Sequence, residues 1–175
     1  LMDCLLLCLA ILQLAIIFIQ DLRYREVWVL LFPSLFVTVV SRELLLKGHG
    51  IVLANISVNF SLLVFQLVLV YLVLHIKHKL TTHKRGFIGL GDILLLTAIT
   101  PLFSPIHYQL FLFIGCFISF IFWKVFNQNM QSIPLAGLLS VFLIAVLVWA
   151  RFMDYSINDD STLFFQYTTF LLKFL

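Results

Sequence analysis

Charge is scarce in this chain. Acidic and basic side chains make up 11% of its 175 residues, against roughly 25% in an average soluble domain, which excludes a soluble globule. Cysteine is equally uninformative as a metal or redox signal. Cys4, Cys8 and Cys116 form no C-x-x-C pair and lie in apolar runs, where thiols act as small buried hydrophobes. No phosphate-binding loop, dinucleotide fingerprint or Ser/His/Asp arrangement is present, so no cofactor is expected, and nothing points to nucleic acid. The first apolar run, Leu5 to Ile19, lacks a basic start and a small-residue cleavage site. It reads as a retained helix rather than a signal peptide.

What the chain has instead is hydrocarbon. Hydrophobic residues amount to 63%, with Phe alone contributing 19 residues. A spanning helix takes about 20 mostly apolar residues. The apolar runs place helices near 3–20, 27–45, 51–75, 88–103, 107–126 and 133–151. The fold class is therefore all-α: a polytopic membrane helical bundle with six transmembrane helices, forming one integral membrane domain over 1–175. The breaks have a chemical basis. Asp21-Leu22-Arg23-Tyr24-Arg25-Glu26 is a charged turn, Lys47-Gly48-His49-Gly50 a flexible one, Pro101 and Pro105 bracket a loop, and Asn127-Gln128-Asn129 closes the fifth helix. The tail, 152–175, carries Asp154, Asp159 and Asp160. Its final run, Leu163 to Leu175, contains Gln166, Thr168, Thr169 and Lys173, which favours an extracytoplasmic interfacial helix, with a short seventh span as the alternative.

Basic residues orient the bundle. One set of loops holds Arg23, Arg25, Lys77, Lys79, Lys84, Arg85 and Lys124, and the other holds Arg42, Lys47 and Arg151. The positive-inside rule puts the first set in the cytoplasm and the N-terminus outside. His75, His78 and His83 crowd the same basic loop. Adjacent Lys77 and Lys79 would repel a cation there, so no metal site is expected, and the loop reads as a contact for anionic lipid headgroups.

Against this background two acids stand out. Asp92, in Gly89-Leu90-Gly91-Asp92, opens an apolar run that continues Ile93-Leu94-Leu95-Leu96. A carboxyl group near hydrocarbon must keep water, find a partner or take up a proton. Asp21 ends the first apolar run, and two expected crossings return the chain to its side of the membrane by Asp92. Asp21 alone would read as a solvated acid in a charged turn, where Arg23 and Arg25 meet it or lipid phosphates. As a pair, the two acids have the equipment for peptide hydrolysis: one carboxylate takes a proton from water while the other, protonated, hydrogen-bonds the carbonyl. Gly86, Gly89 and Gly91 give a side-chain-free approach in which backbones can come close, so Gly89 and Gly91 read as structural support for Asp92 or as places where substrate backbone passes.

These segments resemble the prepilin peptidases, or type IV leader peptidases, a family of membrane aspartyl proteases with a GxGD motif. Asp21-Leu22-Arg23-Tyr24-Arg25-Glu26-Val27 is similar to the family's first aspartate motif, Gly89-Leu90-Gly91-Asp92 matches the second, and Ser132-Ile133-Pro134-Leu135-Ala136 resembles the opening of the sixth helix. The resemblance runs from about residue 15 to about residue 140. It implies catalytic roles for Asp21 and Asp92, without a cofactor. It also implies a prepilin-like protein substrate whose short basic leader is removed at the cytoplasmic face of the plasma (inner) membrane. Two departures mark a divergent branch: Trp28 stands where the family usually has Pro, and Leu94 where it often has Lys. The cysteine-bearing N-terminal domain of the methylating members has no counterpart here, so methyl transfer is not expected.

The residues leave two other readings open. One is a catalytically silent membrane scaffold in a secretion or pilus machine. The other is a small proton- or cation-coupled transporter, in which intramembrane acids also serve but which paired inverted repeats would favour, and none is visible. The oligomeric state and the identity of the base are not encoded in any readable way.

Overall fold

The computed structural model describes residues 2–78, 89–126 and 135–152. Among these residues there are six helices and no strand: α1 (Met2–Tyr24), α2 (Leu31–Lys47), α3 (His49–His78), α4 (Leu90–Ala98), α5 (Pro105–Phe126) and α6 (Leu135–Phe152). Lys79, His83, Lys84, Arg85 and Gly86, the Asn127–Asn129 break, Ser132 to Pro134 and the acidic tail after 152 lie outside the described residues. Four helical stretches are long and apolar enough to cross a bilayer: Met2–Tyr24, His49–Val73, Pro105–Phe122 and Leu135–Phe152. α2 has 17 residues and α4 has nine. At 1.5 Å per residue α4 is only about 13 Å long, under half the ~30 Å hydrocarbon thickness. The six expected helices are present, but α4 ends at Ala98, short of residue 103.

The early end of α4 has a local cause. Pro101 has no N–H to continue the ladder, so the chain passes through turns at Ile99–Ser104. The carbonyls this frees are met by side chains. Asn59, fully buried on α3, donates through Nδ2 to the Thr100 carbonyl at 2.9 Å and to the Phe103 carbonyl at 2.8 Å. The Tyr108 hydroxyl donates to the Leu96 carbonyl at 3.1 Å. α5 then restarts with Pro105 in the first helical position, where its missing N–H is harmless.

Helix packing rests on narrow seams. α1 buries Leu7, Ala10, Leu14 and Ile17, and α6 buries Ala136, Gly137, Leu139, Ser140, Leu143, Leu147 and Ala150. Both sets recur at three- and four-residue intervals and form one stripe on each helix. The small residues Ala10, Ala136, Gly137, Ser140 and Ala150 let backbones approach, as helices in lipid require when no hydrophobic force drives them together. α1 lies mainly on α6 and α2, while α4 lies on α2, α6 and α3. Stacked rings of Phe103, Phe111 and Phe142, with centroids 5.1 and 5.3 Å apart, carry the packing from the α4–α5 turn to α6. Cys4, Cys8 and Cys116 are exposed on the outside of the bundle, not buried as their apolar setting suggested. The outward faces of these helices are as hydrophobic as the seams, so hydropathy alone could not tell the two apart.

One end of the bundle is closed by ions. Glu43, 1% exposed, pairs with Lys47 on the next turn of α2 and with Arg42 at 3.0 Å, and Arg42 reaches across to Asp3 of α1 at 2.7 Å. A buried carboxylate needs such partners to be tolerated. Because Asn59 is the donor for two buried backbone carbonyls, Asn59→Ala is expected to destabilise the fold by about 1–3 kcal/mol, measured by unfolding in mixed micelles. Substitution of the exposed α3 residue Val58 serves as the neutral control.

Candidate active site

Asp21 lies inside the last turn of α1, one step further into the helix than a charged turn would place it. The helix closes beyond it through Arg25, whose φ of 55° is left-handed and whose N–H donates to the Asp21 carbonyl at 3.2 Å. A non-glycine residue in that conformation costs about 1–2 kcal/mol. The turn is held in return by Gln20, whose Oε1 accepts the Trp28 N–H at 3.1 Å. Arg23 stacks over the Tyr24 ring at 5.4 Å, whereas Arg25 is the base within electrostatic reach of Asp21.

Asp92 is the third residue of α4, and its position follows from its motif. Gly89 is the extended N-cap, with φ −72° and ψ 142°. The Asp92 N–H donates to the Gly89 carbonyl at 3.1 Å, and the Asp92 carboxylate reaches back so that Oδ2 accepts the Gly89 N–H at 3.1 Å. This is the carboxylate arm of a capping box, placed at the positive end of the helix dipole. A Cβ on Gly89 would stand 3.0 Å from Asp92 Oδ2, so a side chain at 89 would crowd the carboxylate. Gly91 is different: a Cβ there would meet only Phe32 Cζ, at an ordinary 3.7 Å.

Both acids lie within reach of the start of α6. Asp21 Oδ2 accepts the Gly137 N–H at 2.5 Å, and the backbone of neighbouring Ala136 bears electrostatically on Asp92. Asp92 is also within electrostatic reach of Asp21 and of Cys116 on α5. Sequence reasoning picked out both acids and both motif glycines but missed Gly137. The small pair Ala136-Gly137 in the first turn of α6 was the available signal. Trp28 is exposed, and Leu94 packs against the core. Among the described residues no group of three His, Cys, Asp or Glu side chains is placed to hold a metal ion.

A helical bundle with four apolar segments of membrane-spanning length is the architecture of a membrane protein, and this one carries an acid on each of α1 and α4 beside the start of α6. Over residues 8–124 the chain matches the type IV leader peptidase family. That stretch is more than half of its length, and the chain belongs to this family of peptidases. Neither the curated proteins nor the solved structures compared with it gave a match.

The glycines separate two roles. Gly89→Ala is expected to lower peptidase turnover about tenfold or more by displacing the Asp92 carboxylate. Gly91→Ala, which has room for its methyl group, is expected to stay within about twofold if position 91 serves packing alone. Steady-state kinetics on both variants checks this, and a large loss at Gly91 would indicate that substrate backbone passes there.

Proposed function

We propose that the protein is a membrane-embedded aspartic endopeptidase that removes the short basic leader of type IV prepilin-like or pseudopilin substrates at the cytoplasmic face of the plasma membrane. The observation that carries this reading is that Asp21, bonded by the Gly137 amide of α6, lies within electrostatic reach of Asp92, in a chain of the leader peptidase family.

The chemistry follows from two carboxyl groups sharing one site. With one ionised and one protonated, the carboxylate takes a proton from a water molecule as its oxygen attacks the scissile carbonyl. The protonated acid hydrogen-bonds the carbonyl oxygen and stabilises the tetrahedral intermediate. Collapse of that intermediate breaks the C–N bond, and the departing amine takes up a proton from the pair. Like charges held close do not both ionise readily, which keeps one proton in the site. The end of the bundle that carries the acids also carries Arg23 and Arg25, and the positive-inside rule puts it in the cytoplasm. A prepilin-like leader followed by an apolar helix suits a site at the boundary between water and lipid, because the leader stays wet while the helix stays in the bilayer.

Trp28 and Leu94, the two departures from the family pattern, leave the carboxyl groups untouched: the first is exposed and the second packs into the core. That favours an active enzyme over a silent scaffold. Co-expression of a prepilin-like substrate with wild type, Asp21→Asn and Asp92→Asn, read as a gel shift, tests the reading. Each substitution is expected to lower processing by about 10²–10⁴-fold at unchanged protein level. Processing that survives either change would eliminate the two-acid mechanism.

A further inference from the structure

The acids sit on helices that share no extended interface. Among the described residues α1 packs on α2 and α6, and α4 packs on α2, α3 and α6. α2 and α6 therefore touch both acid-bearing helices, and α6 is the one whose backbone reaches the carboxyl groups. Gly137 donates to Asp21 Oδ2 at 2.5 Å, and the backbone of Ala136, one residue earlier, bears electrostatically on Asp92.

These two amides are well suited to the task. The N–H groups of a helix's first turn have no intrahelical acceptor, so they are free to bond a carboxylate, and they carry the positive end of the helix dipole. Position 137 is tight for a side chain. A Cβ there would lie 3.0 Å from Asp21 Oδ2 and 3.2 Å from Asp21 Cβ, so the Asp21 side chain would have to give by a few tenths of an ångström. Asp21 is within electrostatic reach of Arg25, and Asp92 of Asp21 and Cys116. The α6 turn bonds Asp21 and bears on Asp92. It lies beyond the residues 8–124 that match the family.

We propose that the first turn of α6 is the positioning element of the acid pair. The Gly137 amide fixes the Asp21 carboxyl group against α6, in the same turn whose backbone bears on Asp92, and Gly137 is the position at which the Asp21 carboxyl group takes the place of a side chain. The consequence for rate rests on the peptidase reading above; the geometry does not.

The test has one arm that needs no activity. The chain has seven glycines, so full-length protein labelled with ¹⁵N-glycine gives a sparse amide spectrum, in which Gly137 is assigned by the signal lost in Gly137→Ala. The Gly137 signal is expected at low field, as for an N–H bonded to a carboxylate. It should move to high field in Asp21→Asn and by a smaller amount in Asp92→Asn, while Gly48, between α2 and α3, and Gly50, in the first turn of α3, stay in place. A Gly137 signal that ignores Asp21→Asn overturns the proposal, whether or not the protein cleaves any leader.

The second arm is kinetic. Gly137→Ala keeps the amide but displaces the carboxyl group. Its kcat is expected to fall about ten- to a hundredfold with KM changed by no more than about twofold. Gly115→Ala is the packing control, because its Cβ would meet Leu139 Cδ2 at 2.6 Å in the α5–α6 seam. It is expected to lower the yield of folded protein without separating kcat from KM. A wild-type kcat in Gly137→Ala overturns the proposal while leaving the peptidase reading intact. Absence of processing by wild type itself counts against that reading, and the amide spectrum then decides the geometry alone.

Discussion

A polar group inside this bundle has little bulk water to fall back on, so another part of the chain must supply its partners. Most are supplied, Gln13 Oε1, Asn59 Oδ1 and Gln109 Nε2 being the buried exceptions among the described residues. Most of the architecture follows from that demand. The carbonyls released where α4 stops at Pro101 are met by Asn59 and Tyr108. The buried Glu43 is met by Arg42 and Lys47, and that cluster also ties the start of α1 to the end of α2 through Asp3. Elsewhere in the bundle, Gln66 bonds Gln109 across α3 and α5, and Gln13 bonds Ser34 across α1 and α2. The same demand, applied to two carboxyl groups, brings them to open amides at the starts of α4 and α6.

Backbone amides bond both acids, with Arg25 also within electrostatic reach of Asp21. Asp92 is bonded by the Gly89 N–H and Asp21 by the Gly137 N–H. In both places a glycine stands where a Cβ would crowd the carboxylate at 3.0 Å. Backbone donors stabilise negative charge without a full positive charge that would lock a carboxylate into an ion pair. In the proposed peptidase, acids that exchange a proton with water and substrate would gain from backbone donors, since the charge remains available to the reaction. Short α4 serves the same purpose. Nine residues capped by Gly89 and ended near Pro101 present Asp92 in a first turn, where amides are unsatisfied, rather than in mid-helix, where they are not.

Much of the framework was readable without coordinates. Low charge and long apolar runs placed six helices within a few residues of those observed, and an acid against an apolar run singled out Asp92. Asp21 was proposed as its partner from the expected number of crossings, and the resemblance of both acid motifs to the leader peptidases agrees with the family to which the chain belongs. The misreadings share a physical origin. The end of α4 depends on Asn59, 41 residues distant from Thr100, and the outward placement of the three cysteines depends on helix rotation. In a membrane helix the lipid face and the packing face are both apolar, so the periodicity that reveals rotation in a soluble helix is largely erased.

Composition and local pattern by themselves determined the class of protein, the number of helices, the two acids, and the glycine turn that lets Asp92 fold back on Gly89, because each depends on residues close in sequence or on the solvent the chain demands. Tertiary structure alone decided that α4 would be short, that α6 would lie between the acid-bearing helices, and that Gly137 would meet Asp21 across 116 residues of chain. Those outcomes depend on the rotation and height of each helix relative to its neighbours, which are set by close packing of small residues and by the matching of buried donors to acceptors.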